Sequence, residues 1–192
     1  MKVTREQAVQ NRDRVLDVAA RLFRERGFDG IGVADLMKSA GLTHGGFYGQ
    51  FASKEDLMAQ ACARAFEGSL KSWHMTADRA PENPLAAVAD IYLSTAHRDR
   101  SGDGCVIAAL GADAARQGPT LRRVITEGAQ SLVSLLAGLV PGRTKAIKRT
   151  RALATFAGMV GALVLARAVD DEALSDEILQ SVAASIPKAA AH

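Results

Sequence analysis

The sequence predicts an all-α fold, and three observations carry that expectation. Thirty-six of the 192 residues are alanine, against 5 prolines and 9 aromatic residues, and alanine resists helix formation least. Apolar residues recur at three- and four-residue spacing along most of the chain, the repeat of one helix face, and no segment reads as a strand. With 48% apolar and 23% charged residues the chain has the apolar surface for a compact core, which excludes disorder and collagen-like repetition.

About nine helices follow in order. Val15, Leu16, Ala19, Leu22 and Phe23 form one face of a helix over 11–26, which Gly27 should end in a left-handed turn with Phe28 folding back on it. Val33, Leu36, Met37 and Ala40 mark a two-turn helix over 33–40, broken by Gly41. Thr43 suits the N-cap of a second short helix, 44–51, with Phe47 and Phe51 inward. Ser53 caps a long helix to about 75, with Glu55 and Asp56 at the positive end of its dipole. Asn83-Pro84 starts a helix over 84–95 that fades in a charged loop, 97–104. A helix over 106–116 is closed by Gly118. Pro119 starts one over 119–139, with Leu121, Ile125, Leu132, Leu135 and Leu139 as its stripe. Helices over 145–169 and 173–186 complete the chain, either side of Asp170-Asp171-Glu172.

Several function classes are disfavoured early. The start at Met1 lacks the apolar core of a signal peptide, so a cytoplasmic protein is expected. No uncharged stretch exceeds 15 residues, short of the roughly 20 that cross a bilayer, and the one over 152–166 is expected to be buried in protein. Cys62 and Cys105 stand far apart without metal-ligand spacing, either as small buried apolar residues or as a redox sensor. The segment 138–144 imitates a phosphate loop but is one residue short, has Arg143 where lysine is required, and follows no strand. Gly30-Ile31-Gly32 lacks the third glycine of a dinucleotide fingerprint. His44, His74, His97 and His192 are not grouped with acids or cysteines. No catalysis, metal or cofactor is expected.

The tight glycine turn between two short helices, 33–51, has the spacing of a helix-turn-helix, whose first helix braces a second in the DNA major groove. Leu22-Phe23, Gly27-Phe28, Val33, Leu36, Ala40-Gly41-Leu42, Gly45, Phe47-Tyr48, Phe51 and Ser53-Lys54-Glu55-Asp56-Leu57 surround it. With these residues the chain resembles the TetR family of bacterial transcriptional regulators, in motif detail over about the first 60 residues and beyond them in length and helix content. The resemblance implies a DNA-binding head, 1–52, and an effector-binding and dimerisation body, 53–192. It implies a homodimeric repressor that leaves a pseudo-palindromic double-stranded DNA operator when a small effector binds.

Carried over residue by residue, the resemblance puts Thr43, His44, Gly45 and Gly46 at the head of the recognition helix, with His44 reaching a base edge. Tyr48, Gln50 and Lys54 would clamp phosphates, Tyr48 having core packing as its other reading. Gly32 stands where a serine or threonine commonly caps the bracing helix, and Ala34 and Gly49 are smaller than usual, so groove shape should supply part of the readout. Residues 1–60 hold nine basic and eight acidic residues, a net of 9 − 8 = +1, so DNA binding must rest on placement. Gly32, Ala34 and the near-neutral head favour the alternative, a ligand-binding or interaction protein whose DNA-reading surface has decayed, and His44, Tyr48 and Lys54 argue against it.

Family analogy puts the effector among Cys62, Phe66, Trp73, Tyr92, His97 and Cys105, each equally a packing residue, and the apolar supply favours an apolar or aromatic ligand. Ala154, Gly158 and Ala162 repeat every four residues on a helix that is apolar nearly all round. With Ile178 on the last helix they are the expected dimer interface. Arg143, Lys145, Lys148, Arg149 and Arg151 read as a solvated face or an anionic-ligand contact.

Overall fold

A computed structural model describes residues 4–187; the start at Met1 and His192 lie outside the described residues. Among those residues there are nine α-helices, two 3-10 turns and no strand. The helix count agrees with expectation, but its membership differs.

Helix α1 (Arg5–Arg26) begins well before residue 11. Thr4 Oγ1 accepts the Gln7 N–H and Gln7 Oε1 accepts the Thr4 N–H, both at 3.2 Å, a reciprocal cap that starts the helix upstream of its apolar face. At its end Gly27 has φ +75° but ψ 169°, so the chain leaves extended and the expected left-handed turn is not formed. Phe28 still folds back, meeting the Phe23 ring edge to face at 5.5 Å.

Helix α2 (Val33–Ser39) starts at Gly32 without a side-chain cap. Its stop is the left-handed one: Gly41 at φ +71° lets Leu42 N–H reach Met37 O (2.9 Å) and Gly41 N–H reach Lys38 O (3.0 Å). The α-helix expected over 44–51 is replaced by a 3-10 turn, His44–Gly46, followed by a separate turn at Phe47, and Thr43 makes no side-chain cap. Gly45, Gly46 and Gly49 explain this, since each glycine favours the unfolded backbone by about 1 kcal/mol over alanine.

Helix α3 (Lys54–Arg79) outruns its expected end by a turn, opened by Ser53 Oγ accepting the Asp56 N–H at 3.0 Å. Helix α4 (Pro84–Tyr92) stops short of Thr95, because Ser94 caps a separate α5 (Thr95–Asp99) by accepting the His97 N–H at 3.2 Å. Most of the expected charged loop is thus α5 and a 3-10 turn, Ser101–Asp103. Helices α6 (Val106–Ala114), α7 (Pro119–Leu139), α8 (Lys145–Ala168) and α9 (Glu172–Ser185) lie close to expectation.

Helix α3 is the central strut, packing on α1 and on α7, while α7, α8 and α9 pack in sequence beside it. Phe23, Phe28, Leu36, Met37, Phe47 and Phe51 fill the head core, and Leu110, Leu121, Leu132, Leu136 and Met159 the body core. Helix α8 is, by length and hydropathy, apolar enough to cross a membrane, more so than its uncharged run suggests. Its inner face is packed, with Ala152, Phe156, Met159, Leu163 and Ala166 buried, while Leu153, Val164 and Leu165 on its outer face are exposed.

Candidate nucleic-acid interface and effector cavity

The head presents one exposed corner. Phe47 and Phe51 are buried and stacked at 5.6 Å, so the residues between them turn outward. Tyr48 is 71% exposed and leans edge-on against Phe47 at 5.2 Å and His44 at 5.9 Å, which removes core packing as its role. Thr43, His44 and Gly45 share this exposed surface, Gly46 is half-buried behind them, and Lys54 is half-buried at the first turn of α3. Gln50 differs: its Nε2 donates to Gly46 O (3.2 Å) and its Oε1 is buried, so the side chain faces into the head.

Arg12 escaped the sequence reading. Its Nη1 donates to Gln50 O (2.5 Å), its Nη2 to Gln60 Oε1, and its guanidinium carbon lies 4.7 Å from the Phe51 ring centre. One α1 side chain therefore joins the recognition turn to α3. Arg64 of α3 ties back to α1 through Asp17 (2.9 Å) and Asp13 (3.2 Å), and the hydrogen-bonded Asp17 raises its pKa. These two acids are paired with α3, not with the recognition turn. A long-range arginine of this kind leaves no local signal, because its partners lie 38 to 51 residues away.

Behind the head, α1, α3, α4 and the 95–105 segment border a cavity of about 1230 Å³ that is open to solvent along one side. Trp73, Tyr92, His97 and Cys105 line it. Cys62 and Phe66 are buried outside that lining. Phe66 packs on Gly128 of α7, where any side chain would strike its ring. Burial pushes the Cys62 thiol up to about 12, against a weaker pull from the Arg24 charge, so it is held as an inert thiol. Trp73 meets Tyr92 edge to face at 5.7 Å, and Tyr92 meets His97 at 4.7 Å.

Charged groups also border the cavity, Arg24, Arg64, Asp90 and Asp103 among them, which composition alone did not disclose. Arg24 donates Nε (2.7 Å) and Nη2 to Gly102 O. Burial lowers its pKa, partly offset by Asp103. Gly102 leaves room for this clamp, since a side chain there would collide with Glu25 and Arg21. His97 Nε2 accepts the Cys105 N–H at 3.0 Å, so Nδ1 carries the proton and donates to Tyr92 O at 2.6 Å. Burial lowers the His97 pKa.

The expected dimer stripe divides on inspection. Ala162 is buried within this chain, and Gly158 faces Val182 of α9 in the internal α8–α9 contact. Ile178 is half-buried on the core, and Ala154 is exposed. Small residues at four-residue spacing signal close helix approach but not which helix approaches.

A helix-turn-helix corner on a small helical head, joined by one long helix to a cavity-bearing body, is the architecture of a helix-turn-helix regulator. Residues 15–61 match the family described as bacterial regulatory proteins, tetR family, and the whole chain has the fold of solved TetR-family regulators. HTH-type transcriptional regulator AcrR of Shigella flexneri is 29% identical over 92 residues, a stretch that spans 47% of this chain and only 42% of AcrR. Among solved structures, reduced E. coli NemR superposes with a TM-score of 0.78 at 22% identity, covering 95% of this chain and 100% of that one. A TetR regulator of Legionella pneumophila gives 0.76 at 17% identity, over 91% and 96% of the two chains. At these identities the likeness of the body is one of fold.

Proposed function

We propose that this chain is a homodimeric DNA-binding transcriptional regulator, a repressor whose grip on a pseudo-palindromic operator is released by a small effector in the body cavity. The observation that carries the reading is Tyr48: a large side chain left 71% exposed between the buried rings of Phe47 and Phe51, in a family-matched head. Its hydroxyl and Lys54 suit phosphates, while His44 and Thr43 suit base edges. Gln50 braces the turn instead of touching DNA.

For the dimer, the outer face of α8 with Leu153, Val164 and Leu165, together with Leu174 of α9, offers the exposed apolar surface that a second copy would cover. Two heads about 34–36 Å apart would then read successive major grooves. Effector binding would act through Arg24, which joins the cavity wall to α1 at Gly102. A coupling of about 1–3 kcal/mol suffices for a useful response.

Hydroxyl-radical footprinting on the DNA upstream of the chain's own gene tests this reading. Two protected patches one helical turn apart on one face are expected, and no protection on any upstream fragment contradicts it. The second outcome favours a binding protein with a decayed reading surface, for which uncapped Gly32 and the shortened recognition turn are the supporting observations.

A further inference from the structure

One strongly charged surface takes no part in the proposed function. Between Glu127 and Asp170 the chain carries no acidic residue, and five of the six basic residues there fall within 143–151. Arg143, Lys145, Arg149 and Arg151 are exposed, and Lys148 is half-buried. Among the described residues none of the five is in an ion pair.

The turn and the helix start form a single corner. Pro141-Gly142 leads from α7 into α8, and Thr144 caps α8 by accepting the Ile147 N–H at 3.2 Å. Arg151 folds back and donates Nη1 to Pro141 O at 2.8 Å. A side chain at Gly142 would strike the stem of Lys148, so the glycine lets that stem lie across the turn. Five like charges gathered at the positive end of a helix dipole repel one another and the dipole. A polyanion laid on the corner removes that repulsion.

The corner also stands apart from the recognition turn. The start of α7 lies against the head, where a side chain at Gly118 would strike Glu55 of α3. Helix α7 then runs for 21 residues, about 31 Å, before the basic corner begins.

We propose that this corner holds a second DNA duplex by its phosphates, so that a regulator seated on its operator bridges to another DNA segment. It rests on the reading of the head as a DNA reader. Phosphate contact needs placed charge and no pocket. The stretch 140–155 has no aromatic residue to stack on a base, so the hold is independent of sequence. A duplex suits the corner better than an acidic polypeptide, because a head on DNA keeps other segments of that DNA at high local concentration. A twofold dimer doubles the five cations, which brings the count to the range of phosphate contacts that gives salt-sensitive binding.

The experiment loads the full chain onto a bead-bound fragment from upstream of its own gene, washes it, and offers a fluorescein-labelled unrelated duplex at about 50 mM salt. The chain is expected to capture this second duplex, and to release it but keep the first at about 200 mM salt. Lys145→Glu with Arg149→Glu, both at exposed positions, should cut capture more than about tenfold and leave the first load and the melting temperature unchanged. Lys145→Gln with Arg149→Gln should show a smaller loss, and Lys145→Arg with Arg149→Lys none, because charge and not the guanidinium fork is read. A chain that keeps the first fragment but captures no second duplex would overturn the bridge and leave the head's role standing. Capture that the reversed charges leave unchanged belongs to the heads and would overturn it too. Loss of the first fragment by that variant would join the corner to the operator contact, and preference for labelled poly-L-glutamate at equal charge would assign it to an acidic polypeptide; either overturns the bridge. No retention of the first fragment above unrelated DNA would overturn the head's role and the bridge together.

Discussion

Lys54 and His44 occupy the same corner of the head but should do different work there. Lys54→Ala removes a phosphate partner, so it should weaken binding to all DNA sequences alike and flatten the salt dependence by about one unit per protomer. His44→Ala should instead change the preference among bases, measured by competition between operator variants; the reverse pattern would refute both roles. Arg12→Ala removes two hydrogen bonds and a ring contact, and should lower stability by about 1–3 kcal/mol in denaturant unfolding. His97 makes the head of its segment pH-sensitive. Its folded pKa lies below the ordinary histidine value because burial disfavours the charged form. The unfolded chain therefore binds more protons as pH falls through about 6.5, and stability held at neutral pH is lost on acidification. His97→Gln should flatten that fall in melting temperature; an unchanged profile would exclude His97 as its source.

At the scale of elements, most boundaries were legible because their signals are local. Ser53, Pro84, Pro119 and Gly41 each act within one turn, and each starts or stops a helix where expected. The start of α1 was legible too, in the spacing of Thr4 and Gln7, but apolar periodicity alone overlooks a polar cap. The helix expected over 44–51 does not form, because the inward spacing of Phe47 and Phe51 does not offset the backbone freedom of three glycines. The body was less legible, because the partner of a small-residue stripe is set by tertiary packing: Gly158 faces Val182 of its own α9. Arg12, Arg24 and Arg167 were missed for the same reason, their acceptors lying in distant segments. Gly32 offers a direct trial of local logic. At φ −84° with open space around a Cβ, Gly32→Ser should cap α2, raising stability by a few tenths of a kcal/mol and tightening DNA binding; a loss of stability would contradict the cap assignment.

For the whole molecule, the proposed function needs three parts: a head to meet DNA, a cavity whose wall reaches α1 through Arg24 and Gly102, and an outer α8 face to receive a second copy. Leu165, 56% exposed on that face, is a direct handle on assembly. Leu165→Glu should yield monomers by light scattering and weaken operator binding more than tenfold, since a single head loses the second half-site; a dimer of unchanged affinity would place the interface elsewhere. The central claim is that this head, as a dimer, reads DNA. Its most direct measurement is a fluorescence-anisotropy titration of the protein against labelled fragments from upstream of its own gene, at low and at physiological salt. Saturable binding of two protomers to one fragment, preferred over unrelated DNA and weakened by salt, is the predicted result; no fragment bound above unrelated DNA at either salt concentration would contradict it.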